Sequence, residues 1–156
     1  MPQLTLDEAC TKREELRKSG QRVVFTNGCF DLLHPGHVHI LEEAARQGDY
    51  LIVAVNSDDS VRRLKGEVRP IQRESDRVRV LNALEPVDDT IIFDEDTPRR
   101  VIEALSPDVL VKGADYEVDE IVGAEHVQST GGDVHRVELL SGYGTSDIIR
   151  RIRNSG

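Results

Sequence analysis

The sequence predicts an α/β protein, a Rossmann-like doubly wound five-stranded parallel sheet with helices on both faces. Three observations predict it. Short apolar runs alternate along the chain with segments of helical spacing, the pattern of parallel strands joined by crossover helices. The strands read as continuous runs, such as Leu51-Ile52-Val53-Ala54-Val55, so both of their faces must be covered. The unusual polar clusters follow the strands, on the carboxyl edge where open sheets of this kind bind ligands.

Each element has a local reason. Residues 5–19 carry Leu6, Ala9, Cys10 and Leu16 at helical spacing, with Gly20 as a stop. Residues 22–26 form the first strand. A helix spans 35–47, where Val38, Leu41, Ala44 and Ala45 share a face and Gly48 ends it. Residues 50–55 are the second strand. Ser57 and Asp58 cap a short helix through Leu64, and another helix covers 75–84. The third strand is 90–93, and Thr97-Pro98 opens a helix to Leu105 with a capping residue followed by proline. Residues 108–111 and 134–139 are the fourth and fifth strands, separated by a short helix near 124–129. A last helix runs over 145–152. No repeat, low-complexity segment or linker interrupts this order. The expectation is one domain over 1–156, with an N-terminal helix in 1–20 and a core over 21–153.

Composition narrows the function. A chain of 156 residues, 38% of them hydrophobic, can bury a real core. Aromatics are 4% and Trp is absent, which argues against stacking bases of single-stranded nucleic acid. A net charge of −9 argues against a general polyanion binder. Within residues 62–79, however, seven Lys/Arg face three acids, a local +4. A solvated helix face explains several of these residues, and a small anionic substrate suits the rest. Two cysteines are too few for a disulfide framework. The acidic, broken start Leu4-Thr5-Leu6-Asp7-Glu8 is unlike a signal peptide, and no apolar run approaches membrane-spanning length. A cytoplasmic setting is expected.

The most informative segment is Asn27-Gly28-Cys29-Phe30-Asp31 followed by His34-Pro35-Gly36-His37. A buried strand ends, the chain turns, and a helix opens with Pro35 at its first position. His34 then falls near the N-cap and His37 one turn in, facing the same point. Free N–H groups at a helix start favour anions, and imidazoles there donate to phosphate oxygens. Gly36 lets a ligand approach the backbone. Ordinary exposed or core histidines are one alternative. Zinc held by Cys29, His34, His37 and His39 is another, but His39 lies on a different helical face and no Cys-x-x-Cys pair completes the set. The arrangement favours a nucleotide's phosphates.

The run 26–37 resembles the first motif of nucleotidyltransferases with an HxGH sequence, in the cytidylyltransferase-like group. Later segments are more specific. Arg63-Leu64-Lys65-Gly66, Arg69-Pro70, Asp94-Glu95-Asp96-Thr97-Pro98 and Lys112-Gly113-Ala114-Asp115-Tyr116 are similar to the adenylyltransferase domain of ADP-heptose synthases. The resemblance covers about residues 20–153. It implies that a sugar 1-phosphate attacks the α-phosphorus of ATP and pyrophosphate leaves. The attacking phosphate is already anionic, so the work is positioning and charge stabilisation.

By that resemblance His34, His37 and Lys65 are catalytic, with Lys65 bridging donor and acceptor phosphates. Thr26, Asn27, Gly28, Cys29, Phe30, Gly36, Lys112, Gly113, Thr145 and Ser146 hold the nucleotide, Cys29 as a small packing residue rather than a nucleophile. Asp31, Arg69, Arg77, Asp115 and Tyr116 lie on the acceptor side. For Asp31 an Asx turn or cap at the bend is the equal alternative. Where the family commonly has Ser-Thr-Thr, this chain has Gly144-Thr145-Ser146, so one hydroxyl is lost and two remain. No protein side chain is assigned to a metal, and Mg²⁺ is expected on the triphosphate. A homodimer and a separate upstream sugar kinase are the implied partners, with no nucleic acid and no membrane. Three rivals remain at this point: a CTP-dependent enzyme for glycerol 3-phosphate or another polyol phosphate, an enzyme making a dinucleotide such as FAD, and a nucleotide-binding regulator without turnover.

Overall fold

The computed structural model describes residues 3–155, so Met1, Pro2 and Gly156 of the expected terminal segments lie outside it. Its strands are β1 (Val23–Gly28), β2 (Tyr50–Asn56), β3 (Asp89–Phe93), β4 (Val109–Gly113) and β5 (Asp133–Val137). They pair, all parallel, in the order β3-β2-β1-β4-β5. The helices are α1 (Leu6–Lys18), α2 (Pro35–Ala45), α3 (Asp58–Lys65), α4 (Glu74–Asn82), α5 (Arg99–Leu105), α6 (Ala124–Ser129) and α7 (Thr145–Ser155).

Successive strand residues point to opposite faces, and both faces are buried. Phe25, Ile52, Ala54, Ile91 and Leu110 pack with Ala9 and Leu16 of α1, Ile102 and Leu105 of α5 and Val127 of α6. Val24, Leu51, Val53, Val55 and Val111 pack with Leu41 and Ala44 of α2 and Val78 and Leu81 of α4. The continuous apolar runs therefore mean what they predict, a sheet covered on two sides.

The chain winds outward from β1 to β3, then returns to place β4 on the other side of β1. This makes β1/β4 the point where the winding reverses, and a crevice belongs there. The registers show how it opens. The β1/β2 ladder runs on to Gly28 opposite Val55, whereas β1/β4 pairs only Val24 with Val109 and Phe25 with Leu110. One further tie follows, from the Thr26 hydroxyl to the carbonyl of Val111 at 2.9 Å. Beyond it the strands part, with Asn27 and Gly28 on one bank and Lys112 and Gly113 on the other.

Several boundaries differ from expectation for local reasons. β1 and β4 each run two residues further, because β2 and β5 continue to offer partners. β5 stops at Val137, opposite the last residue of β4, which frees Leu139. The helix expected to open at Thr97-Pro98 begins at Arg99. Proline has no N–H, and the first helical bond is Ile102 N–H to the Pro98 carbonyl. Leu4 forms an isolated bridge to Ile91 at the sheet edge, and Val118–Glu120 is a single 3₁₀ turn. Among the described residues, no helix is long and apolar enough to cross a membrane.

Candidate active site

The two histidines cap their own helix. The backbone N–H of Gly36 donates to His34 Nδ1 at 3.1 Å, and the N–H of His34 donates to His37 Nδ1 at 3.3 Å. An imidazole nitrogen that accepts cannot carry a proton, so both neutral rings hold theirs on Nε2. The rings stack with centroids 3.8 Å apart. Each therefore offers one Nε2–H donor from a fixed, shared orientation. Burial lowers the pKa of both, that of His37 to about 4, with His34 beside it adding to the effect and Asp31 opposing it. Protonating Nδ1 would also break the caps. In the free protein at neutral pH the pair is uncharged.

Gly36 is required by this packing. A Cβ there would lie 2.9 Å from His34 Nδ1 and Cε1 and 3.2 Å from the Cβ of Tyr143. Gly113 is a second such position, since a Cβ would fall 2.6 Å from the Asp115 carboxylate.

A cleft of about 700 Å³ opens above the β1/β4 divide. It brings together Asn27, Gly28, Cys29, Phe30, Asp31, His34, Gly36, His37, Lys65, Arg69, Lys112, Asp115, Tyr116, Thr145 and Ser146. Thr26 and Gly113 border a smaller recess at its floor. The basic stretch 62–79 is largely neutralised within the protein: Arg62 pairs with Asp59, Arg63 with Asp96, Arg69 with Asp31, Arg73 with Asp76 and Arg77 with Asp58. Lys65 and Lys112 are the cleft cations with no ion pair among the described residues. Burial lowers the Lys112 pKa, with Lys65 nearby adding to it and Asp115 opposing. An incoming phosphate would relieve that penalty. Burial raises the Cys29 pKa despite the surrounding cations, so its thiol stays protonated, as suits a packing residue.

Four expected roles change. Arg77 does not reach the cleft. It is 1% exposed, and it donates to the carbonyls of Gln72, Cys29 and Asn56 and to the Asp58 carboxylate. Direct substrate contact by Arg77 is therefore corrected: its donors face inward. Asp31 borders the cleft, but its carboxylate is 0% exposed and accepts from Arg69 Nε and from the N–H groups of Ile71 and Gln72. Burial pushes its pKa up, yet these bonds outweigh that and hold it below the usual carboxylate range. Both of its oxygens are occupied, leaving neither a sugar nor a metal its obvious partner. Thr26 uses its hydroxyl proton to tie β1 to β4, and Thr145 donates its own to the Asp31 carbonyl at 2.9 Å. Ser146 lines the cleft and is left to face an anion, while the N–H groups of Asp147 and Ile148 donate to the Gly144 carbonyl.

The structure adds Ile40, Asn56, Leu64, Asp96, Leu139, Leu140, Tyr143 and Gly144 to the cleft wall. Leu139 was hidden by an expected strand that ends two residues earlier, at Val137. The Tyr143 ring lies nearly parallel to His34, 6.5 Å away. Its position between Gly142 and Gly144, directly before the last helix, was the available signal.

The sequence model of the cytidylyltransferase-like family matches residues 25–151, from the middle of β1 into α7. The chain belongs to the cytidylyltransferase-like family. Among relatives, it is 52% identical over 150 residues to the bifunctional protein HldE of Gluconobacter oxydans, covering 96% of this chain and 31% of that protein. It is 53% identical over 147 residues to HldE of Azorhizobium caulinodans, with 94% and 31% covered. The chain thus spans about a third of the length of the curated relatives it matches. Among solved structures, the lipopolysaccharide core biosynthesis protein of Thermoplasma volcanium superposes with a TM-score of 0.63 at 33% identity, over 80% of this chain and 100% of that one. The pantoate-beta-alanine ligase of Francisella tularensis has a TM-score of 0.61 over 99% of this chain and 77% of its own, at 14% identity, and shares the fold alone.

Proposed function

We propose that this chain transfers AMP from ATP to a heptose 1-phosphate, giving ADP-heptose and pyrophosphate by direct in-line attack. One observation carries the reading: a stacked histidine pair with both Nε2–H donors fixed by backbone caps, lining a cleft with two lysines that make no ion pair among the described residues. Such a site binds a polyphosphate and stabilises the charge that develops on a leaving pyrophosphate. The sugar phosphate oxygen forms the new bond to the α-phosphorus as the bond to the pyrophosphate oxygen breaks. No proton must be removed from the nucleophile.

The choice of substrates rests on the motifs shared with ADP-heptose synthases and on the relatives. A bifunctional protein matched over about a third of its length suits one of two activities, and a neighbour named for lipopolysaccharide core biosynthesis supports the reading. Lys65 lines the cleft and is the residue proposed to bridge donor and acceptor phosphates, and Lys112, Asp115 and Tyr116 line it as well. Among the described residues, no group of three or more His, Cys, Asp or Glu side chains gathers to hold a metal. Mg²⁺ would be held by the triphosphate oxygens, where it would neutralise charge. The heptose 1-phosphate must come from a phosphorylation at the anomeric oxygen.

Pyrophosphate release tests the reading, with ATP or CTP each paired with heptose 1-phosphate or glycerol 3-phosphate in the presence of Mg²⁺. Release with ATP and heptose 1-phosphate is expected. Release with CTP and glycerol 3-phosphate alone would replace the substrates, and ATP binding without release for any pair would make the chain a regulator.

A further inference from the structure

Asp31 and Arg77 occupy a place that neither substrate contact nor ordinary core packing explains. Both are charged and 1% exposed. Asp31 sits between Phe30 at φ +51° and Leu32 at φ +54°, two non-glycine residues in the left-handed region. Such a turn persists only where the surroundings over-determine it. Here they do. The Asp31 carboxylate accepts from Ile71 N at 2.7 Å, Gln72 N at 3.0 Å and Arg69 Nε at 2.9 Å. Arg77 closes the circuit from below, donating to Gln72 O at 3.0 Å and to Cys29 O at 2.7 Å. The Gln72 residue is thus held at its N–H by one buried charge and at its carbonyl by the other. Arg77 also grips Asn56 O at the end of β2 and the Asp58 carboxylate at the start of α3.

The two residues join segment 69–72 to loop 29–31, and the consequence falls on Arg69. Its Nε is fixed by Asp31, while its terminal amino groups make no hydrogen bond among the described residues and its side chain lines the cleft. We propose that Asp31 and Arg77 are positioning residues which set segment 69–72 so that Arg69 presents its free guanidinium edge to the acceptor phosphate. This deepens the reading given under Proposed function and rests on it for the identity of the acceptor. A planar guanidinium needs its orientation fixed to meet a phosphate with two parallel bonds. A carboxylate on Nε, supported by two backbone amides, supplies that orientation.

The experiment compares Asp31→Asn, Arg77→Lys and Arg69→Ala with the double variant Asp31→Asn/Arg69→Ala. Asp31→Asn keeps the shape but offers an amide where three donors converge. Arg77→Lys keeps the charge but loses the fork that reaches three carbonyls. For each folded variant, KM for heptose 1-phosphate is measured separately from the Kd for ATP alone. Asp31→Asn and Arg77→Lys should each raise the acceptor KM by about tenfold or more, with ATP affinity changed by less than about threefold. In the Arg69→Ala background, Asp31→Asn should add less than about threefold. Equal losses toward both substrates, or independent multiplication in the double variant, would overturn the proposal. Hydrogen exchange supplies a readout that does not depend on the substrate. The Ile71 and Gln72 amides should exchange faster in Asp31→Asn, with sheet amides unchanged. Unchanged exchange would overturn the positioning role, while faster exchange in a protein that makes no ADP-heptose would leave it standing and remove only the proposed acceptor.

Discussion

The two walls of the cleft are built differently. On one side, loop 29–37 and segment 69–72 are tied by buried charges, backbone amides and self-capped histidines. On the other, α7 buries no residue. Among the described residues, its side-chain hydrogen bond to the opposite wall is the Thr145 hydroxyl on the Asp31 carbonyl. The Tyr143 ring lies over His34, and Ile152 is 62% exposed. Segments with few buried contacts open at low cost. The comparison teaches that the wall of loop 29–37 and segment 69–72 is organised by its own buried bonds, whereas the α7 wall is held by few.

The largest way to break this contrast is at the organised wall. His37→Ala removes one Nε2–H donor and the cap on the His34 N–H, and should lower kcat by about 10²–10³-fold. Steady-state turnover checks it, and an unchanged kcat would remove His37 from the chemistry. Gly36→Ala should come next. Its Cβ displaces the His34 ring, and kcat/KM for ATP should fall by about 10- to 100-fold. The fold should survive, as monitored by circular dichroism.

A smaller effect is expected on the loose wall. Thr145→Val removes the hydroxyl that holds the start of α7, and should raise the KM for ATP by about three- to tenfold. Its melting temperature should stay near that of the parent, because little is buried there. A large drop in melting temperature would show that α7 is as firmly built in as the opposite wall.

A further expected effect, read on stability rather than on turnover, is its pH dependence. His37 has its pKa lowered from about 6.5 to about 4, so the unfolded chain binds a proton more readily than the folded one. The associated stability is present above pH about 6.5 and fades as pH falls toward about 4. Asp31, also lowered, adds a loss in the same direction at more acidic pH. Urea midpoints measured across this range should decline on acidification, and His37→Gln should flatten the upper part of the curve.

Much of this was legible in the sequence, and the reasons are local. Continuous apolar strands and capped helices follow from neighbouring residues, so the sheet, its covering helices and the cluster at its carboxyl edge could be read directly. His34, Gly36 and His37 sit within one helical turn and declared their joint role. The reciprocal caps that fix their tautomers could not be read, because they depend on ring rotamers. Arg77 misled for a related reason. Its charge suggested a substrate, but its donors meet carbonyls from residues 29, 56 and 72, which only the fold brings together. Asp31 looked like a turn residue or a sugar ligand, and it bonds to amides forty residues away. Leu139 was obscured because strand pairing, not strand propensity, sets where β5 ends.

Isotope exchange with labelled pyrophosphate tests the central claim most directly. If a sugar phosphate attacks ATP in line in this cleft, the protein will incorporate label into ATP when given ADP-heptose, and will not exchange label into ATP when ATP is supplied without ADP-heptose or heptose 1-phosphate. Exchange from ATP alone would reveal a nucleotide carried on the protein, and no incorporation with ADP-heptose would contradict the proposed transfer.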